Sequence, residues 1–205
     1  MEETLDWSGF AVLLVDVQRD FWSQKVAEQF PAFPERITRL LDLSRRHGID
    51  IVHLRASFSP DMSDWMVRYV LRGRIPCVEG TPGAETLPFA LEKPGEAVFV
   101  KHTFDGFRNR SLMPYLREKG KRYLLVGGLV TSVCVLLTAA AASQLGFLVA
   151  VVEDCCADNG VAHQQTLDRY QFMFDRVTAD GILVGHGDWL KSLQLLEERV
   201  QTTDR

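Results

Sequence analysis

The sequence has no paired-cysteine motif, no glycine-rich nucleotide loop, no long apolar run and no excess of positive charge. Each absence removes a class of protein. The four cysteines, Cys77, Cys134, Cys155 and Cys156, form no C-x-x-C pair, so neither a zinc ribbon nor a disulfide scaffold is expected. The turn after Asp16 has no G-x-G-x-x-G, which argues against a dinucleotide-binding domain. The longest apolar stretch, residues 133–142, is interrupted by Cys134 and Thr138, well short of the ~18 residues of a membrane span. Lys and Arg number 23 against 27 Asp and Glu, for a formal charge of −4. That balance offers no footprint for nucleic acid or an anionic membrane. The first residues, Met1-Glu2-Glu3-Thr4-Leu5-Asp6, are acidic where a signal peptide is basic and then apolar. A cytoplasmic protein with four reduced thiols is expected.

What is present is an ordinary globular composition, 46% hydrophobic and 24% charged over 205 residues, enough for one well-buried domain spanning 1–205. Short apolar runs alternate with helical patterns. The runs predict strands over 10–17, 49–54, 97–101, 123–127 and 147–152, with a short sixth from 177. Helices are predicted over 34–47, 111–119, 132–145, about 159–174 and 188–200; Gly48, Gly120 and Gly146 stop the first three. This alternation predicts an α/β three-layer αβα sandwich, Rossmann-like, with a mostly parallel six-stranded sheet. Residues 56–96 break the rhythm with five prolines and the aromatics Phe58, Trp65, Tyr69 and Phe89. An ordered lid or an oligomer contact is expected there.

In open α/β sheets, ligands bind beyond the carboxyl ends of the strands. Asp16 closes the first predicted strand, Lys101 the third, and Cys134 opens the helix after the fourth. Taken singly, each has an ordinary role as a turn cap, a solvated strand end or core filler. Jointly, an acid, a base and a thiol converge on one edge. The N–H groups and positive dipole end of a helix stabilise a thiolate. Asp16 is suited to take the thiol proton and return it to a leaving amine. Lys101 is suited to hold charge, and Cys134 to attack a carbonyl. Backbone N–H groups at Val130 and Cys134 are candidates for an oxyanion hole.

The ordered set Leu13-Leu14-Val15-Asp16-Val17-Gln18-Arg19-Asp20-Phe21, Gly80-Thr81-Pro82-Gly83, Lys101-His102-Thr103-Phe104-Asp105-Gly106-Phe107 and Gly128-Leu129-Val130-Thr131-Ser132-Val133-Cys134-Val135 resembles the isochorismatase-like cysteine hydrolase superfamily. That group includes nicotinamidases, N-carbamoylsarcosine amidohydrolases and ureidoacrylate amidohydrolases. The resemblance spans about residues 8–185. It implies an Asp–Lys–Cys triad at Asp16, Lys101 and Cys134, and a non-proline cis peptide between Val130 and Thr131.

The departures narrow the implied activity. Metal-dependent nicotinamidases of the superfamily carry an Asp/His cluster after the second strand, where this chain reads His53-Leu54-Arg55-Ala56-Ser57-Phe58-Ser59-Pro60-Asp61. No metal and no cofactor are expected. Members that hydrolyse the vinyl ether of isochorismate typically lack the cysteine. Cys134 therefore points to a C–N bond of a small non-peptide amide, ureide or carbamoyl compound, with an acyl-enzyme intermediate. The alternatives are a vinyl-ether hydrolase and a non-catalytic binding protein on the same fold. Substrate-contact candidates are Gln18, Phe21, Arg55, Trp65, His102 and Phe107; Arg55 is the candidate for pairing a substrate carboxylate. The small-residue run 138–143 and the aromatic excursion suit a homodimer or homotetramer.

Overall fold

The computed structural model describes residues 5–203, with side chains as far as residue 199. Six strands form one all-parallel sheet: β1 Phe10–Val15, β2 Asp50–Ala56, β3 Ala97–Lys101, β4 Tyr123–Leu129, β5 Leu148–Ala157 and β6 Asp175–Val177. Their order is β3-β2-β1-β4-β5-β6. Every residue of β1 and β4 is buried, as continuous apolar runs in a two-sided sheet require. The α/β sandwich expected from the alternation is therefore the fold, with a sheet that is wholly parallel.

Among the described residues, seven α-helices accompany the sheet: α1 Gln24–Gln29, α2 Phe33–His47, α3 Val67–Arg72, α4 Leu112–Glu118, α5 Leu136–Gln144, α6 Gly160–Tyr170 and α7 Ile182–Thr203. Two cores lie on opposite faces of the sheet. One joins Val12 and Leu14 to Ile37, Leu40 and Leu41 of α2 and to Trp189 and Leu193 of α7. The other joins Leu13 and Val15 to Leu112 and Leu116 of α4, Ala139 and Ala142 of α5 and Leu167 of α6. Alternation along β1 thus feeds both layers, and each fully buried Leu or Ile stabilises the fold by about 1.5–3 kcal/mol.

The centre of the sheet is unusually tight at Gly128, which has φ +129°. A Cβ there would lie 1.9 Å from the Val15 carbonyl oxygen, so only glycine lets β1 and β4 pair up to their ends.

Element boundaries differ from the sequence expectation for identifiable reasons. β5 continues to Ala157 because its two carboxylates find partners: Glu153 pairs with Arg176 at 2.8 Å, and Asp154 accepts the Ala179 N–H at 2.8 Å. α7 starts six residues before the expected 188. Gly185 and Gly187 weaken its helical signature, yet Gly185 makes room for Trp189, whose ring would lie 2.8 Å from an added Cβ. α1 and α3 have six residues each, too few to show a period.

Behind β2, a polar clamp fastens the end of the 56–96 excursion. Glu96 accepts hydrogen bonds from Arg45 Nε (2.7 Å), His53 Nε2 (2.8 Å) and the Lys93 N–H (3.0 Å). Burial opposes its ionisation, but these donors outweigh it and hold its carboxyl down to about 2. The His53 pKa is lowered, chiefly by burial. Both folded-state values lie below the unfolded ones, so their stabilisation is present at neutral pH. It is lost as pH falls, first below the ordinary histidine value and then from 4.5 toward about 2. Glu96→Gln is expected to cost about 2–3 kcal/mol at pH 7 and to flatten the lower part of the acid-unfolding curve. Urea titrations between neutral and acid pH check both.

Candidate active site

The strand order reverses direction between β1 and β4, where an open α/β sheet leaves a crevice. Asp16 follows β1, Lys101 ends β3, and Cys134 lies in the wide, π-type turn Thr131–Val135 that leads from β4 into α5. The structure brings these three together. Asp16 is fully buried, Lys101 is 2% exposed and Cys134 is 5% exposed.

Asp16 has φ +48°, a left-handed conformation that costs a non-glycine residue about 1–2 kcal/mol. This is why β1 stops at Val15, two residues short of the expected end. The Asp16 N–H remains bound to the Leu54 carbonyl (2.8 Å). Lys101 Nζ lies 2.7 Å from Asp16 Oδ2 and donates to the Thr103 carbonyl at 2.8 Å. The ammonium thus holds the buried carboxylate chiefly by charge.

Burial is the largest influence on the Asp16 pKa and raises it; Lys101 and Cys134 pull against it. Burial also disfavours the Lys101 ammonium, but Asp16 and Cys134 outweigh it and raise its pKa. The Cys134 thiol is pushed up by burial and then by Asp16, with Lys101 opposing. The thiol thus lies beside a buried carboxylate placed to take its proton, as expected from the pairing of Asp16 with Cys134.

The turn carrying Cys134 is anchored from β5 and α6. Asp158 Oδ2 accepts from the Ser132 N–H (2.9 Å) and Ser132 Oγ (2.5 Å), and Thr131 Oγ1 lies 2.9 Å from His163 Nδ1. Asp158→Ala is expected to lower kcat roughly tenfold or more by loosening this turn, while the thermal transition and KM change little. The non-proline cis bond lies at Leu129–Val130, one bond earlier than the resemblance implied. Val130 is extended (φ −98°, ψ 150°), and its carbonyl already accepts the N–H groups of Val133 and Val135. The Val130–Thr131 peptide therefore belongs to the first helical turn, and the chain reverses before it.

A cavity of about 110 Å³ opens onto Lys101 and Cys134. Of the sequence candidates, Phe21 lines it. Gln18 is buried beside it but committed to backbone: its amide donates to the Ala56 and Ala84 carbonyls and accepts the Ala56 N–H. Arg55 does not reach the pocket. The two-residue period of β2 turns it with His53 toward the other face, where it pairs with Glu92. His102 stands outside the cavity lining, its ring held by the Ser57 carbonyl (2.6 Å) and Asp64 (3.0 Å). Phe107 packs on Phe147 instead. Trp65 braces the excursion by donating to the Ser59 carbonyl at 2.7 Å.

Sequence reasoning missed the actual walls: Phe58, Met66, Tyr69, Ile75 and Pro76 from the excursion, and Phe104 after β3. The aromatic content of 56–96 was the available signal. Residues of the excursion thus form part of the cavity wall. Among the described residues no three His, Cys, Asp or Glu side chains converge as a metal-binding group, and no helix is long and apolar enough to cross a membrane.

A parallel α/β sheet with a thiol, an ammonium and a carboxylate gathered at its switch point defines a protein of the hydrolase-like α/β class. Residues 10–179 match the isochorismatase domain model, and the chain belongs to the isochorismatase family. It is 30% identical to the isochorismatase family protein YddQ of Bacillus subtilis over 72% of this chain and 77% of that one. It is 27% identical to the nicotinamidase of Escherichia coli, covering 87% and 96%. It is 28% identical to the maleamate amidohydrolase of Pseudomonas putida, covering 72% of each. An isochorismatase family protein of Desulfovibrio vulgaris superposes with a TM-score of 0.77 at 28% identity, over 85% of this chain and 96% of that one.

Proposed function

We propose that this protein is a cysteine amidohydrolase cleaving a C–N bond of a small non-peptide substrate. The observation that carries this reading is the buried Asp16–Lys101 pair, 2.7 Å apart, beside a thiol that opens onto a cavity. Amidohydrolase relatives support it. Cys134 Sγ attacks the carbonyl carbon while its proton passes to Asp16, and the N–H groups of Val130 and Cys134 receive the oxyanion. Asp16 then protonates the departing nitrogen, which leaves as ammonia or an amine. Water, deprotonated by Asp16, hydrolyses the thioester and restores the thiol. Lys101 stays charged throughout, so Asp16 is ionised when it must accept a proton. No step calls on a metal or cofactor.

Ammonia release across a panel of amides, ureides and carbamoyl compounds tests the reading; no release from any of them would contradict it. A vinyl-ether hydrolase would need Asp16 but not the thiol, and a binding protein would need neither proton transfer.

The same reading places one functional domain in a reducing cytosol, consistent with four free, buried cysteines. It also takes the chain to be a homodimer or homotetramer. Val67 and Leu71 of α3, about four-fifths exposed, support that assembly, and light scattering decides it.

A further inference from the structure

We infer that the pocket selects an uncharged substrate, a carboxamide with a compact apolar body, against carboxylate-bearing analogues of the same shape. The chemistry of that substrate rests on the amidohydrolase reading; the selection by charge rests on the walls alone. Phe21, Phe58, Met66, Tyr69, Ile75 and Phe104 enclose the cavity, and such surfaces favour a ring or a branched alkyl group.

Lys101, the one cation on the lining among the described residues, is already committed to Asp16 at 2.7 Å and to the Thr103 carbonyl at 2.8 Å. Asp16 and Lys101, as an ion pair, together present no net charge. Arg55 faces Glu92 on the other side of the sheet, and His102 is held by Ser57 and Asp64. Arg72 and Arg74 line a separate cavity with the Asp20 carboxylate; only Tyr69, Ile75 and Pro76 border both. A carboxylate entering the site would lose its water and meet no uncommitted cation among the described lining residues, with a buried aspartate nearby. Such selection would set this chain apart from the Pseudomonas putida relative named for maleamate, an amide that carries a carboxylate.

The test uses shape-matched pairs that differ in charge. 4-Methylpentanamide and succinamate are compared by ammonia release. The corresponding aldehydes, 4-methylpentanal and succinic semialdehyde, are compared as reversible ligands of Cys134. There the thiol sulfur bonds to the aldehyde carbon and the thiol proton ends on the new hydroxyl. Protection of Cys134 from iodoacetamide, read by intact mass and peptide mapping, reports occupancy without turnover.

The expected result is kcat/KM about 100-fold or more in favour of the neutral amide, with protection by the neutral aldehyde at a correspondingly lower concentration. Met66→Arg, at a half-exposed wall position, is expected to shift the ratio at least about tenfold toward the anion. Equal or better turnover of succinamate, or protection by succinic semialdehyde at the same concentration, would overturn the inference. So would failure of both aldehydes to protect at about 10 mM, a weak-binding limit. Protection by the neutral aldehyde without ammonia from any amide upholds the charge selection and overturns the amidohydrolase reading instead.

Discussion

Cys134→Ala is expected to remove hydrolysis almost entirely, lowering kcat by about 10⁴-fold or more, as loss of a nucleophile does in other hydrolases. The fold should survive. Cys134 is buried and small, and alanine leaves only a minor void next to an existing cavity. Loss of activity with an unchanged melting temperature therefore separates chemistry from folding. Cys134→Ser probes the same point more finely. The hydroxyl keeps a proton for Asp16 to take, but an alkoxide is far harder to form than a thiolate, so most of the rate should still be lost. Steady-state ammonia release by both variants, with the far-UV spectrum and melting temperature, checks the prediction.

The second large effect is expected from Lys101→Met, because it falls on stability and activity together. Asp16 is completely enclosed, with Lys101 as its ion-pair partner. Removing that partner leaves a buried carboxylate unpaired, at a cost of about 3–5 kcal/mol near neutral pH. The Asp16 pKa is already raised by burial, and Lys101 is the main influence pulling against it. Without Lys101, Asp16 would take up a proton. A folded-state value above the unfolded 3.8 contributes stability that is present at low pH and is lost as pH rises through the folded value. The variant should thus be least impaired in mild acid, and its deficit should grow toward neutrality. Combining it with Asp16→Asn removes the stranded charge and should recover most of the stability but none of the activity. Chemical denaturation of the single and double variants across pH, with assays alongside, tests both parts.

Reading the layers from sequence worked because burial writes a plain pattern. β1 and β4 must be apolar on both faces, and Gly48 ends α2 in a left-handed turn with φ +69°. The carboxyl-edge rule then brought Asp16, Lys101 and Cys134 to one place, since each sits beside the end of a strand. The pocket walls were less legible. Phe58, Met66, Tyr69 and Ile75 come from a segment with little periodicity, whose path follows tertiary contacts such as the Cys77 N–H bound to Asp20 at 2.7 Å. Arg55 was misjudged because a strand end exposes two faces, and only the register of β2 says that Ala56, not Arg55, meets the cavity. The burial of Cys134 was equally hidden: a helix start is legible in sequence, but how deeply a thiol lies beside a carboxylate is a three-dimensional fact.

The proposed mechanism requires that Cys134 become covalently attached to the acyl part of the substrate. Rapid acid quench during turnover of an active amide, followed by intact-mass measurement and peptide mapping, reads this directly. The expected result is an added mass equal to the acyl group, located on Cys134, formed before steady state and absent in Cys134→Ala. Turnover with unmodified Cys134 at every quench time, together with undiminished activity in Cys134→Ala, would contradict it.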